Sequence, residues 1–512
     1  MSKTCSSFLP IFAASLLILH LFNNSNAQDL DVNIKLDASQ PQFVIIEGKR
    51  RVAAVKSRNL SFLTSAAGVE VSGERISNLK LFDSKRNAVA YKRFMPGEYV
   101  ADSEFVEWSY QVDLTIPKNQ TLMAHSSWIT NNFGILMLDD LLPQFEKREN
   151  IRSSAVVFDI KQKTEGTQWT ILASPSGIND FTFFAPEIPK AVFYLRGDGN
   201  QAPITSAAET AYSRQYGYKP INLIMNPRDV FQFDQTDAMD MSVEIYQYYR
   251  KRFGDEPLPV MIAIAKFPVG ASPDRWEAVT RGRNITIFTS DTSFKSQALQ
   301  QLHEQLRHEM FHLWIPNGLN LTGNYDWFYE GFALYQSLKT GVDLNRIRFD
   351  DYLDTLSRAY DIDRRLHTNL SLIDVSKNRW SGDNNTRLYA RGMLVAFLCD
   401  LALLEKSKTE RSVIDLIREL YERHKSSEAE KDGNAAILAL LGSRDELKPL
   451  IYKFITGFER IDWNVLINAA GLETDRTSQT TNLKVTAKPS RRQKDLLDKL
   501  GYNNWRKLAS KR

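Results

Sequence analysis

His308-Glu309-Met310-Phe311-His312 sets two imidazoles one helical turn apart with a carboxylate beside the first. Residues four apart lie on the same face of an α-helix, so both rings can reach one metal ion. Glu309 then stands near the same ion, where it can take a proton from a water molecule. The chain carries seven His among 512 residues, so a chance match to this spacing arises in roughly one such sequence in a few hundred. The helix expected over 296–314 has Leu302, Leu306, Met310 and Leu313 along one apolar stripe, and the His pair falls on another side. The pair is therefore not the core face of an amphipathic helix. His303 stands five residues before His308, about 140° away around a helix, and is not expected to ligate.

A hydrolytic zinc ion needs a third protein ligand and an open fourth position for water. Glu330 is the candidate, within Trp327-Phe328-Tyr329-Glu330-Gly331-Phe332-Ala333-Leu334-Tyr335. A carboxylate among such neighbours is costly unless it is paired or bound to metal. Asp326 competes for the role, but it sits where a helix N-cap would stand, and a salt-bridged Glu330 is the alternative. One Zn2+ ion held by His308, His312 and Glu330, with Glu309 as general base, is the chemistry these residues predict.

The elements that must position them change character along the chain. Runs such as Phe43–Ile46, Val106–Val112, Ala155–Phe158, Phe181–Phe184 and Val192–Leu195 are β-branched or aromatic and separated by turn residues. They predict a β-rich sandwich or saddle. The Gly- and Pro-punctuated stretch Arg196–Pro203 is the boundary candidate. An amphipathic helix over 238–252 and the apolar strand Pro259–Ala265 follow, and helices dominate from Gln297 to Ala469. Ahead of all this, Lys3 precedes the apolar run Phe8–Phe22, and Ser25-Asn26-Ala27 fits a small-x-small cleavage site. That reads as a signal peptide, with a secreted or periplasmic mature chain. The expected division is a signal peptide over 1–27, a β-rich domain over 28–200, a catalytic domain over 205–475, and a polar linker with a basic tail over 476–512.

Net charge is +4. Residues 491–512 hold eight Lys/Arg and two Asp, a net of +6, so the rest of the chain sums to −2. A near-neutral body does not suit nucleic acid. No stretch after the leader approaches the roughly 20 apolar residues of a membrane span. Cys399, in an apolar helical run, reads as a small core residue. The basic tail carries Leu496, Leu497, Leu500, Tyr502, Trp505 and Leu508, and is expected to dock as an amphipathic helix on the body, a partner or an anionic surface.

His-Glu-x-x-His followed by Trp327-x-x-Glu330-Gly331-Phe332 resembles the gluzincin metallopeptidases, which include the aminopeptidase N, leukotriene hydrolase and glycyl aminopeptidase families. The finer likeness is to the glycyl aminopeptidase group, without its PDZ domain. Trp314, Glu330–Tyr335, Tyr389-Ala390-Arg391-Gly392 with the apolar helix running to Asp400, and Tyr452–Gly457 followed by Leu466–Leu472 carry it. The resemblance implies an α+β chain with a thermolysin-like α/β catalytic domain and a helical C-terminal part, acting on a peptide or protein. It also implies zinc on His308, His312 and Glu330, Glu309 as base, and Tyr389 as the donor that steadies an oxyanion.

One departure bears on specificity. Where the family places an acid that anchors a substrate's free amine, this chain has Thr280-Arg281-Gly282-Arg283-Asn284. An Arg there repels an ammonium and attracts a carboxylate, so Arg281 and Arg283 are candidate substrate-binding residues for acidic substrates. Exposed strand-edge charges are the plainer alternative. Two other functions keep the same metal: hydrolysis of a non-peptide substrate, or a binding or assembly protein with a structural ion. A structural zinc is normally closed by four protein ligands, and no fourth is evident.

Overall fold

The computed structural model describes residues 29–504 apart from 52–57, 72–74, 145–150, 163–168, 173–179, 198–206, 217–218, 227, 255–258, 268–269, 426–430 and 477–479. The expected signal peptide, most of the boundary stretch, and Trp505 and Leu508 lie outside the described residues.

The N-terminal part is β-rich. Its main sheet has seven strands, in the spatial order Asp180–Phe184, Ser153–Lys161, Leu30–Asp37, Phe43–Arg50, Glu107–Asp113, Ile76–Phe82 and Ala88–Val89. Leu30–Asp37 shows why: Leu30, Val32, Ile34 and Leu36 alternate with polar residues, and all four are buried. A period of two places them on one face of the sheet. A second sheet joins Trp128–Ile129, Phe133–Met137, Val192–Arg196 and Thr170–Leu172. Phe133–Met137 is buried at every position, because this sheet is covered on both faces. Leu136, Phe193 and Leu195 face the N-terminal core. Phe133, Ile135, Met137 and Tyr194 face Ile224, Met261, Ala263 and Phe288 of the next sheet. Tyr194 Oη lies 2.7 Å from Thr286 Oγ1 across that seam.

That next sheet is mixed. Ile221–Met225, Val260–Lys266 and Asn284–Thr289 run parallel, and Trp276–Arg281, here the edge strand, lies antiparallel against Asn284–Thr289. Helices follow. The motif helix spans Lys295–Phe311, shorter at its end than the periodicity suggested, with His312 at its C-cap. The glutamate helix spans Asp326–Asp343, and the tyrosine helix Asn384–Lys406. Those two helices meet where Gly331 faces Gly392; a Cβ on Gly331 would fall 2.4 Å from the Gly392 Cα. Only two facing glycines permit so close a crossing.

Cys399 is buried in this helical core. Past Ala469 the chain is more structured than its polar composition suggests. Leu472–Arg476 pairs with Thr481–Val485 in a hairpin that straddles the expected division at 475/476. The helix Arg491–Leu500 buries Leu496, Leu497 and Leu500, and Tyr502 packs edge-on against Phe349. The described part of the basic tail thus docks on the body. Among the described residues, no helix is long and apolar enough to cross a membrane.

Candidate metal centre

The motif helix presents His308 one turn before its end, and His312 follows at the cap. Their Nε2 atoms lie 3.1 Å apart. The glutamate helix supplies the third donor: Glu330 Oε2 is 3.3 Å from His308 Nε2 and 3.6 Å from His312 Nε2. Bonds of about 2.0–2.2 Å around a tetrahedral zinc put neighbouring ligand atoms about 3.3 Å apart. The three observed separations bracket that edge. Two imidazoles and a carboxylate are also a catalytic zinc donor set, so the residues fit the ion. His312 Nδ1 lies 2.9 Å from the Ile315 carbonyl oxygen. Donation there fixes the ring and leaves Nε2 with a lone pair for metal.

Charge explains how a carboxylate survives here. Burial pushes the Glu330 carboxyl up, but hydrogen bonds from His308 and His312 and the charges of His312 and Arg379 outweigh it and hold it well below the usual range. Burial likewise opposes a charge on His312, yet Glu330 lifts its pKa above the ordinary value.

Glu309 is 4% exposed and reached by the edge strand. Thr280 Oγ1 lies 2.7 Å from Glu309 Oε2 and 2.9 Å from its carbonyl oxygen. The tyrosine helix aims Tyr389 at the centre, and its hydroxyl donates to Glu330 Oε2 at 2.8 Å. Burial and then the Glu330 charge hold the Tyr389 phenol well above its ordinary pKa, so it is a proton-bearing donor. The structure therefore brings His308, His312, Glu330, Glu309 and Tyr389 together.

It does not gather every residue the sequence singled out. Alternation along the edge strand turns Thr280 to the motif helix and Arg281 to the opposite face. There Arg281 Nη1 donates to Asp139 Oδ2 at 2.6 Å, so its charge is already matched. Arg283 lies past the turn at Gly282, in a cavity of about 370 Å3 shared with Phe181, Phe183 and Asn317 and with none of the metal donors. Arg281 is thus paired with Asp139, and Arg283 lines a cavity apart from the metal donors. His303 contacts Arg307 and Glu244, away from the triad, as its angle implied. Asp326 opens the glutamate helix, after Tyr325 at the cap, and accepts from Tyr329 and Arg379.

Four contributors escaped sequence reasoning: Thr280 in a supporting role, Tyr329, Arg379 and His125. Tyr329 packs edge-on against His312 with ring centroids 6.0 Å apart. Arg379 sits in a connection between helices, where no periodicity marks it. His125 ends the short helical turn Gln120–Ala124 of the N-terminal part. Burial, then the charges of Arg281 and Arg379, depress its pKa to about 4 against the opposing pull of Glu330. The N-terminal part thus reaches the electrostatic neighbourhood of the metal centre.

No protein-family profile matches this chain, and no curated protein matches it either. Solved structures do. An aminopeptidase N family protein from Idiomarina loihiensis is similar over 90% of this chain and 82% of its own, at 14% identity and a TM-score of 0.69. An M1 zinc metallopeptidase from Deinococcus radiodurans, determined as a mutant with a Tyr-Ser-Ala substrate bound, is similar over 85% of this chain and 94% of its own, at 12% identity and a TM-score of 0.50. At such identities the likeness is one of fold: a β-rich N-terminal part followed by a mixed α/β and helical part.

Proposed function

We propose that this chain is a zinc-dependent metallopeptidase that hydrolyses peptide bonds. The observation that carries the reading is the triad of His308, His312 and Glu330 at tetrahedral-edge distances, with Glu309 and Tyr389 converging on it. Peptide as substrate draws support from the fold, which the chain shares with a zinc metallopeptidase holding a tripeptide. Zinc bound by these three side chains would acidify a water molecule and polarise a carbonyl.

The chain's own residues do the rest. Glu309 takes a proton from the attacking water through Oε2 or its neighbour and returns it to the leaving nitrogen. Thr280 holds that carboxylate against rotation. Tyr389 donates a hydrogen bond to the carbonyl oxygen as it becomes an oxyanion, a contact often worth about 100-fold in rate. At finer grain, the Tyr389-x-Arg391-Gly392 segment supports the glycyl aminopeptidase-like group. The mixed sheet with its antiparallel edge strand supports a thermolysin-like catalytic half. The apolar run Phe8–Phe22 supports export, with cleavage after Ala27.

The test is direct. The purified protein should contain one zinc ion per chain by atomic emission. Against a peptide library, Glu309→Gln should retain the metal and lose turnover at least about 100-fold. Parental turnover in Glu309→Gln would refute this mechanism.

A further inference from the structure

We propose that Arg379 is a positioning residue of the metal centre: it fixes which oxygen of Glu330 faces the His pair and sharpens the Tyr389 hydroxyl as a donor, the second role resting on the peptidase reading above. Arg379 follows the short helix Leu372–Lys377, and its side chain is only 11% exposed. Every edge of its planar fork is engaged. Nε donates to Asn385 Oδ1 at 2.8 Å. Nη1 donates to Asp326 Oδ2 and to Glu330 Oε1, both at 3.1 Å. Nη2 donates to the Tyr389 hydroxyl oxygen at 2.9 Å.

The guanidinium also lies over the Trp380 ring, 4.6 Å from its centroid. Trp380 is itself pressed by Gly68 of the N-terminal part, where a Cβ would fall 2.7 Å from the Trp380 Cβ. Gly68 has a φ of +74°, so the turn that makes this contact favours glycine twice over. Both halves of the chain therefore hold Arg379 in place.

Two consequences follow from the geometry. A carboxylate can turn either oxygen toward a cation. With Oε1 engaged by Arg379, Oε2 is the one left facing His308 and His312. A hydroxyl that accepts from a guanidinium is also a better donor, because a charge-assisted bond to its oxygen polarises the O–H. Lysine would supply the charge but not the fork that reaches four acceptors at once. If Arg379 merely neutralised Asp326, neither consequence would hold.

Zinc affinity, measured on the full chain by competition with a chelating dye, needs no turnover. Arg379→Met should lower it about 10- to 100-fold, the usual loss when an outer hydrogen bond to a metal ligand is removed. Arg379→Lys should fall between Met and parent. At saturating zinc, Arg379→Met should lower kcat with KM nearly unchanged. Tyr389→Phe should lower kcat about 100-fold, and the double variant should be no slower than Tyr389→Phe alone. Parental zinc affinity in folded Arg379→Met overturns the first role, and losses that multiply in the double variant overturn the second. Should Arg379→Met fail to fold, Arg379→Lys carries both measurements, and parental values there overturn the proposal. If the parent cleaves no peptide, the peptidase reading fails while the zinc titration still decides the first role.

Discussion

Replacing Gly331 by Ala tests whether one helix crossing sets the geometry of the metal centre. The new Cβ would meet Gly392 Cα at 2.4 Å, its carbonyl carbon at 2.6 Å and its oxygen at 3.2 Å. Carbon atoms rest about 3.5 Å apart, so the glutamate and tyrosine helices must separate by about 1 Å. Every atom in that contact is backbone, and no side chain can swing away. Overpacking of this kind destabilises by about 1–3 kcal/mol, against a gain of about 1 kcal/mol from replacing a mid-helix glycine. The net loss in stability is therefore modest, at most about 2 kcal/mol. The catalytic loss should be larger. Glu330 precedes Gly331, and Tyr389 lies three residues before Gly392, so the shift acts on the 2.8 Å contact between them. A misplacement of about 1 Å can lower a rate about 100-fold. Thermal unfolding should thus show a small decrease in Tm, while kcat on a peptide substrate falls about 100-fold at saturating zinc. Gly392→Ala, whose Cβ would meet Gly331 Cα at 2.8 Å, should be the milder variant. Parental kcat in Gly331→Ala would refute the claim that this crossing positions the two groups.

Two further outcomes test the surroundings of the centre. Thr280→Val removes the hydroxyl 2.7 Å from Glu309 while keeping the shape of the side chain; kcat should fall about tenfold with zinc affinity unchanged, and Thr280→Ser should restore most of it. His125 has its pKa depressed from 6.5 to about 4, by burial first and then by Arg281 and Arg379. Between those values the unfolded chain binds the extra proton, so the contribution to stability is present above pH 6.5 and is lost as pH falls toward 4. His125→Gln should flatten that slope by up to about 3 kcal/mol, read from denaturant unfolding across pH 4–7. An unchanged slope would show that His125 is not held neutral by this environment.

Local periodicity was legible; groups delivered by loops and crossings were not. The His308/His312 pair could be read because a helix converts a spacing of four into a shared face. Glu330 could be read because a lone carboxylate in an aromatic segment demands a partner. The β-branched run Phe43–Ile46 announced a strand, and the unbroken apolar run Val260–Ala265 announced another. At the edge strand the reading stopped because the partners lie far along the chain. Thr280 and Glu309 are 29 residues apart, and Arg281 and Asp139 are 142 apart. Nothing in the composition of Thr280-Arg281-Gly282-Arg283 says that Thr280 turns to the base and Arg281 to a distant aspartate; sheet register decides it, and register is a tertiary fact. The hairpin across 475/476 was missed because its strands Leu472–Arg476 and Thr481–Val485 are half polar, as a pair lying at the surface should be.

His308, His312, Glu330, Glu309 and Tyr389 all sit on or beside three helices of the C-terminal half, and in the proposed reaction they read only the scissile group. Groups from the N-terminal half approach them: His125 through its charge environment, Asp139 through Arg281, and Gly68 through Trp380. The candidate centre is thus built by short-range helical geometry, while His125, Asp139 and Gly68 reach its surroundings across the interface with the N-terminal part. Substitutions at that interface should change which peptide is cut more than how fast a good one is cut.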